Sequence, residues 1–340
     1  MLWNFTMDKK DSVNKEQIIN LNENKYPIKT KYENYFHLVQ KSIFLEHNNF
    51  TCTYIIQDFN SLNLYFALKN NSTGEGYLLN PNDNLYIKAH SQTIPKLLIY
   101  YSNKYLISCS YDKYIRIWDI SITDKKSNIK CISQLKGHKG RIYDMDLNND
   151  KKILISCGMY KTLLIWDIQK FSLIKEIRVV NIYNLMIKYL PQNNTNDNSS
   201  KELVVIYSNN SCLNIVDINT NKIIDNFNLC KKDGTILFLN NKECIYQDSK
   251  NFNLVIFNFI EKKIVDELIG GDTNPIILMH KFEKGDKIIS FYSENNIRVW
   301  NYIKKICELN IKIDFFLHSF YIDIKGKLYC GSLNKTFLFD

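Results

Sequence analysis

Arginine is rare in this sequence of 340 residues, although lysine is abundant. Only four of the 44 basic residues are arginine, and arginine is the side chain that usually makes bidentate contacts with phosphates and bases. The lysines are spread along the chain, so we interpret most of the net charge of +9 as general solvation. A face that binds phosphate groups is the alternative that this charge leaves open.

Grouped cysteines and long apolar runs are also missing. The nine cysteines include no Cys-x-x-Cys pair, and their number is odd, which argues against both a zinc site and a disulfide framework. No apolar run approaches the ~18 residues of a membrane span, and the opening MLWNFTM lacks the basic leader of a signal peptide. We therefore predict a protein without a metal or a membrane segment, located in the cytoplasm or nucleus.

The motifs of the common enzyme classes are absent as well. The sequence contains no phosphate-binding loop, no GxSxG, no HExxH and no cluster of carboxylates. We therefore predict that the protein is not an enzyme, that it has no catalytic residues and no cofactor, and that it takes no small-molecule substrate.

What the sequence does contain is a repeat of about forty residues. The segment SYDKYIRIWDIS, at residues 110–121, returns as GMYKTLLIWDIQ at residues 158–169. The tryptophan position of these segments recurs every 39 to 50 residues, each time at the end of an alternating apolar strand. The seven positions are Leu79, Trp118, Trp166, Val216, Phe257, Trp300 and Phe339.

Each repeat also contains three further short apolar runs, separated by turn-forming pairs such as NN, ND or KG. Four short strands in ~40 residues, without helical periodicity, indicate an all-β fold built from β-propeller blades. We predict seven blades, and six is the alternative because the first repeat is degenerate. The propeller is predicted to span residues 36–340, after a polar extension at residues 1–35.

The order of the strands predicts how the propeller closes. The last repeat ends at its third strand, TFLFD, whereas the first repeat begins with an additional strand, FHLVQKSIFLEH. If this N-terminal strand is the outer strand of the last blade, both exposed sheet edges disappear. We therefore predict a propeller that is closed by an N-terminal outer strand.

The repeat resembles the WD repeat. Both have a GH-like dipeptide followed by S-x-x-x-D-x-x-I-x-I-W-D, seen here as SCSYDKYIRIWD after LYIKAH and as SCGMYKTLLIWD after LKGH. In that family a His, a Ser, an Asp and a Trp form a hydrogen-bonded tetrad, and the resemblance assigns these roles to His90, Ser108, Asp112 and Trp118. The group is similar to a Ser-His-Asp relay, but we expect it to lie inside one blade and to be structural.

One residue of the second clear repeat departs from the tetrad pattern, and two arginines lie at a repeat position outside the tetrad. The second clear repeat keeps the histidine, at His138, but has Tyr160 where the tetrad has its aspartate. Arg116 and Arg298 share one repeat position, and we predict that both are charges on the strand surface.

The resemblance implies a function in protein–protein interaction, because propellers present a rigid ring of loops to peptides and protein surfaces. We predict a non-catalytic interaction scaffold or a subunit of a multiprotein complex. The alternative is a non-catalytic, RNA-associated subunit of an RNA-processing or RNA-modifying complex, for which the net charge of +9 is the motivation.

In WD-repeat propellers, two positions of each blade tend to face the entrance of the central channel. One follows the first apolar residue of the inner strand, and the other precedes the turn aspartate. The resemblance places aromatic residues and Met there, which are enriched in interface cores, and basic residues of the KGHKGR loop favour an acidic partner. The predicted partner-binding residues are Tyr111, Tyr143, Met159, Tyr183, Phe316, Lys139 and Arg141. The alternative is that some of these tyrosines pack against neighbouring loops.

Overall fold

A computed structural model describes residues 40–339, with gaps at 59–60, 82–84, 101–104, 124–125, 128, 149, 180–183, 191–201, 209–211, 230–234, 271–272, 283–284, 314 and 324–325. These described residues form strands, turns and bends and contain no helix, which confirms the predicted all-β class. Consistent with this, we find no membrane-spanning helix in the same part of the chain. The predicted polar extension at residues 1–35 lies outside the described residues.

The chain divides into two compact units, which we call the central and the terminal unit. The central unit is Asn49–Asp233, and the terminal unit combines Met1–Asn48 with Gly234–Asp340. The division falls inside the first strand, Gln40–Gln57.

The central unit consists of four-stranded antiparallel sheets. The second part of β1 pairs with β2, which is followed by β3 and β4; the other three sheets have the orders β10-β7-β6-β5, β11-β12-β13-β14 and β15-β16-β17-β18, and β8 and β9 form a small hairpin. The strands are β1 (Gln40–Gln57), β2 (Leu64–Asn70), β3 (Gly76–Asn80), β4 (Leu85–His90), β5 (Lys96–Tyr100), β6 (Tyr105–Cys109), β7 (Ile115–Asp119), β8 (Ile122–Thr123), β9 (Lys126–Ser127), β10 (Lys130–Leu135), β11 (Ile142–Asn148), β12 (Ile153–Gly158), β13 (Thr162–Asp167), β14 (Ser172–Arg178), β15 (Asn184–Leu190), β16 (Leu203–Ser208), β17 (Cys212–Asp217) and β18 (Lys222–Asn228).

The terminal unit repeats the same arrangement. It contains the sheets β19-β20-β21-β22 and β23-β24-β25-β26, and β1 lies next to β29 in the order β27-β28-β29-β1. The strands are β19 (Ile236–Phe238), β20 (Glu243–Gln247), β21 (Leu254–Asn258), β22 (Lys263–Leu268), β23 (Ile276–Lys281), β24 (Lys287–Tyr292), β25 (Asn296–Asn301), β26 (Ile306–Lys312), β27 (Ser319–Ile322), β28 (Leu328–Gly331) and β29 (Leu333–Phe339).

The middle strands of the sheets are continuous apolar runs because their two faces are both covered. In the central unit, Ile155 of β12 and Ile165 of β13 pack with Ile187 of β15 and Val204 of β16 in one buried cluster between two successive sheets. Outer strands such as β14 expose most of their residues instead. This difference explains why the second and third strands of each repeat have the clearest apolar signal in the sequence.

Polar contacts between the first strands hold successive sheets of the central unit together. One carboxylate oxygen of Asp144, in β11, lies 3.0 Å from Nζ of Lys96 in β5. Its other oxygen accepts the backbone N–H of Ile187 in β15 at 2.9 Å, and Asp146 accepts the N–H of Tyr189 at 2.8 Å. Three neighbouring sheets are therefore linked through β11.

Candidate functional site

The four residues of the predicted tetrad form one continuous chain of hydrogen bonds. Nδ1 of His90 lies 2.9 Å from Oδ2 of Asp112, and its Nε2 lies 2.8 Å from Oγ of Ser108. The indole N–H of Trp118 donates to the same Ser108 oxygen at 2.9 Å. Because Ser108 is fully buried and bonded on both sides, its hydroxyl is not accessible to a substrate.

The tetrad connects two sheets rather than lying inside one, which corrects our expectation. His90 is the last residue of β4, whereas Ser108 and Trp118 belong to β6 and β7 of the next sheet. The sequence repeat is therefore displaced by one strand from the structural sheet. As a result, the hydrogen bonds of this group stabilise the junction between neighbouring sheets.

The protonation states follow from burial and from these contacts. Burial opposes ionisation of Asp112, but hydrogen bonds from His90 and from the backbone N–H groups of Tyr114 and Ser91 lower its pKa below the usual value. Burial lowers the pKa of His90, although Asp112 acts in the opposite direction. At neutral pH, His90 therefore donates its Nδ1–H to an ionised Asp112 and accepts the Ser108 hydroxyl at Nε2.

The two arginines at the shared repeat position are not surface charges, so that prediction is wrong. Arg298 is only 2% exposed and donates to the carbonyl of Gly270. Arg116 donates in the same way to the carbonyl of Ala89 and also approaches Asp112 at 3.4 Å. The Arg116 guanidinium therefore contacts the backbone of β4 in the preceding sheet, and that of Arg298 contacts the connection between β22 and β23.

The next sheet keeps only part of the network. Nε2 of His138 lies 2.6 Å from Oγ of Ser156, which also accepts the indole N–H of Trp166 at 2.9 Å. Tyr160, at the aspartate position, is 62% exposed and has a positive φ of 70°. Nδ1 of His138 is buried and has no hydrogen-bond partner among the described residues, and burial lowers the pKa of His138 to about 4.

Because burial lowers the pKa of His138, we predict that the protein loses stability in mild acid. The unfolded chain binds a proton at His138 near pH 6.5, whereas the folded chain binds it only near pH 4. The stabilising contribution is therefore complete above pH 6.5 and is lost as the pH falls through this range, by up to about 3 kcal/mol. We expect the free energy of unfolding, measured by urea titration, to fall less steeply between pH 6.5 and pH 4 in His138→Gln than in the wild type. Equal slopes would contradict this account.

Several predicted partner-binding residues come together in the central unit. The rings of Tyr111 and Tyr143 meet edge to face with centroids 5.9 Å apart, and the guanidinium of Arg141 lies 5.3 Å from the Tyr111 ring centroid. The backbone N–H of Met159 donates to the carbonyl of Arg141 at 2.7 Å, and Lys139 is exposed in the same loop. We call these five residues the tyrosine patch.

Glycine at position 140 permits this close approach of two loops, a role that the sequence reading missed. A Cβ atom at Gly140 would lie 2.6 Å from Cβ of Met159 and 2.7 Å from the ring of Tyr160. The turn between β12 and β13 therefore packs directly on the loop that carries Lys139 and Arg141. The two glycines of KGHKGR are the sequence signal that could have indicated this packing.

The remaining two predicted residues are Tyr183 and Phe316. Tyr183 lies outside the described residues. Phe316 belongs to the terminal unit and precedes β27, which begins at Ser319. Phe316 is exposed and packs edge to face on Phe291, with ring centroids 5.7 Å apart.

No group of three or more His, Cys, Asp or Glu side chains within the described ranges could hold a metal ion. None of the eight described cysteines forms a disulfide. Those at positions 109, 244 and 330 are buried, which raises the pKa of each thiol well above its usual value. Buried thiols of this kind behave as small apolar side chains.

Comparison with known proteins supports two of the repeats that the sequence predicts. The family model described as "WD domain, G-beta repeat" matches residues 83–119 and 129–167. Nuclear distribution protein PAC1 of Scheffersomyces stipitis is 32% identical over 57 residues, and its counterpart from Debaryomyces hansenii is 33% identical over 57 residues. Each match covers 17% of this chain and 11% of the relative, so the chain matches about a tenth of the length of these proteins.

The fold resembles a solved propeller over most of the chain. The WD40 β-propeller domain of Doa1 superimposes with a TM-score of 0.66 at 13% sequence identity, over 87% of this chain and 94% of that domain. At this identity the likeness concerns the fold alone. The chain therefore contains two segments that match the WD repeat and has the fold of a WD40 β-propeller.

Proposed function

We propose that the protein is a non-catalytic protein–protein interaction scaffold or a subunit of a multiprotein complex, built on a seven-bladed propeller that β1 closes. The count of seven is supported by five separate four-stranded sheets and by two three-stranded groups, β2–β4 and β27–β29, that both adjoin β1. A rigid ring of this kind presents its loops as a stable surface for a partner.

The tyrosine patch is the observation that carries this proposal. Its aromatic rings are only partly buried, and they are held in place by backbone hydrogen bonds between neighbouring loops, such as Ile142 N–H to the Ser110 carbonyl at 3.2 Å. A partly exposed aromatic group that is already ordered loses little conformational entropy on binding. Tyrosine and arginine are also the residue types most often found at energetic hot spots of interfaces.

Charge indicates the kind of protein segment that suits this surface. The exposed charged residues of the loops around the patch are Lys113, Lys136, Lys139 and Arg141. The acidic residue in these loops, Asp112, is buried and hydrogen-bonded to His90. An acidic segment is therefore attracted to the surface without an opposing negative side chain.

The RNA-associated alternative gains no support from the comparisons, and we do not propose it. It makes a separate prediction, since phosphate binding weakens steeply as the salt concentration rises. A filter-binding measurement with single-stranded RNA at two salt concentrations would detect such an affinity.

The double substitution Tyr111→Ala, Tyr143→Ala tests the proposed surface. Both rings are removed together so that neither tyrosine is left without the ring that it packs against. We expect the captured partner proteins to be depleted at least about tenfold, as for loss of a binding hot spot. The melting temperature should change little, because both side chains are partly exposed.

The matched control is Ile174→Ala, which removes an exposed apolar side chain from the outer strand β14. This variant should retain every partner when the captured proteins are quantified by mass spectrometry. Unchanged partners in the double variant, or a collapsed melting curve, would contradict the proposal.

A further inference from the structure

Two successive histidines of the central unit lie in equivalent positions but have different surroundings. His90 and His138 each precede their serine by 18 residues, and each serine precedes its tryptophan by 10 residues. The Nε2 sides of the two imidazoles are therefore equivalent, since each faces a serine that also accepts an indole N–H. The difference lies at Nδ1.

At His90, a carboxylate completes the network. Asp112 lies within 3.0 Å of Nδ1 through both oxygens and also accepts the backbone N–H groups of Ser91 and Tyr114, each at 3.1 Å. An ionised carboxylate suits this place because it accepts several hydrogen bonds and carries no donor of its own.

At His138, none of the described residues supplies such a group. The side chain that stands at the aspartate position, Tyr160, is directed to solvent from a residue with positive φ. His138 is 7% exposed, and Nδ1 is without a hydrogen-bond partner in the described part of the chain. A buried polar atom in this condition is unfavourable, and a partner that supplied an acceptor would relieve it.

The surroundings of this imidazole favour a negatively charged group. Lys139 and Arg141, both exposed, are its near neighbours in the same loop. The Tyr160 ring lies beside Gly140 in this loop, and because Tyr160 is mostly exposed, turning the ring away would expose little additional apolar surface. The adjoining rings of Tyr111 and Tyr143 offer an apolar surface to the rest of a bound segment.

We propose that an Asp or Glu side chain of a partner protein binds to Nδ1 of His138, in the place that Asp112 takes at His90. The inference rests on the proposed function and specifies the group that the surface recognises. With the carboxylate bound, His138 donates from Nδ1, accepts the Ser156 hydroxyl at Nε2, and so adopts the same tautomer as His90. The bound acid thereby completes a tetrad that the described residues of this chain leave incomplete.

NMR of the histidine imidazoles in the full-length protein tests this directly, with hexaglutamate as the probe and hexaglutamine as its uncharged control. We expect hexaglutamate to shift the His138 signals and to raise the pKa of His138 by about one unit or more, as a carboxylate in direct contact does. His90 is the internal control and should not respond, because Asp112 already occupies its Nδ1. No response of His138 to hexaglutamate, or an equal response to hexaglutamine, would overturn the inference.

Substitution at position 160 gives an independent test. Tyr160→Asp supplies a carboxylate from the chain itself, so the pKa of His138 should rise without peptide and the response to hexaglutamate should disappear. Tyr160→Asn, of equal size and without charge, should keep the response. If Tyr160→Asp does not fold, the wild-type titration still decides. If hexaglutamate changes neither the NMR signals nor the pKa of His138, but the double variant Tyr111→Ala, Tyr143→Ala loses its partners, this inference fails and the proposed function stands.

Discussion

Deletion of residues 1–46 is expected to make the protein insoluble or sharply less stable. The deletion removes the first part of β1, which lies next to β29 in the terminal unit. Without it, the outer edge of β29 presents unpaired backbone N–H and C=O groups, which favour aggregation. Because β1 closes the ring in our proposal, the loss should affect the whole molecule, and solubility after lysis together with thermal melting would measure it.

The matched control is deletion of residues 1–30, which leaves all of β1 in place. This shorter deletion should be soluble and should melt close to the full-length protein. A protein without residues 1–46 that melts like the full-length chain would show that β1 does not close the propeller.

Trp118→Ala is expected to reduce the free energy of unfolding by about 3–5 kcal/mol. The indole is buried in a cluster with Leu106 and Ile120, and its N–H donates to Ser108 at 2.9 Å. The substitution therefore removes apolar contacts and a hydrogen bond at once, at the junction of two sheets. Urea titration followed by circular dichroism would measure the loss.

Two further substitutions separate these causes. Trp118→Phe keeps an aromatic ring but removes the N–H, so its cost should be clearly smaller. Asp112→Ala leaves Nδ1 of His90 without its acceptor and should cost about 1–3 kcal/mol. An Asp112→Ala protein with wild-type stability would show that the network does not contribute to folding.

The repeat and the strands could be predicted because apolar periodicity survives where signature residues are lost. Val216 and Phe257 replace tryptophan and are still buried. The tetrad residues could be assigned from the resemblance alone, because this sequence has all four residue types of the motif at matching positions. The displacement of His90 into the preceding sheet was missed because a sequence repeat does not reveal which strands share a sheet.

Other features depend on local geometry that the sequence does not encode in a simple pattern. A charged side chain is usually exposed, so the burial of Arg298 against the Gly270 carbonyl could not be foreseen. The positive φ of Tyr160 is equally unexpected for a bulky residue. In the terminal unit, the apolar residues Phe315 and Phe316 lie before β27 begins at Ser319, so apolar character alone does not fix where a strand starts.

Contacts of Asp144 link the first strands of three sheets of the central unit. The residues of the tyrosine patch lie in the loop before β11, at the start of β11, and in the turns between β6 and β7 and between β12 and β13. Rigid loops with exposed basic side chains and partly buried rings suit recognition of an acidic protein segment. The central claim is therefore that this surface binds a partner through charge and aromatic contact together.

A charge exchange between the protein and a partner captured on it tests this claim most directly. We expect Arg141→Glu to weaken binding of that partner at least about tenfold, as measured by calorimetry with purified proteins, without a change in melting temperature. Replacing the acidic residues of the partner's bound segment with lysine should restore binding to Arg141→Glu and abolish it for the wild type. Equal affinity of wild type and Arg141→Glu for the unaltered partner would contradict the account.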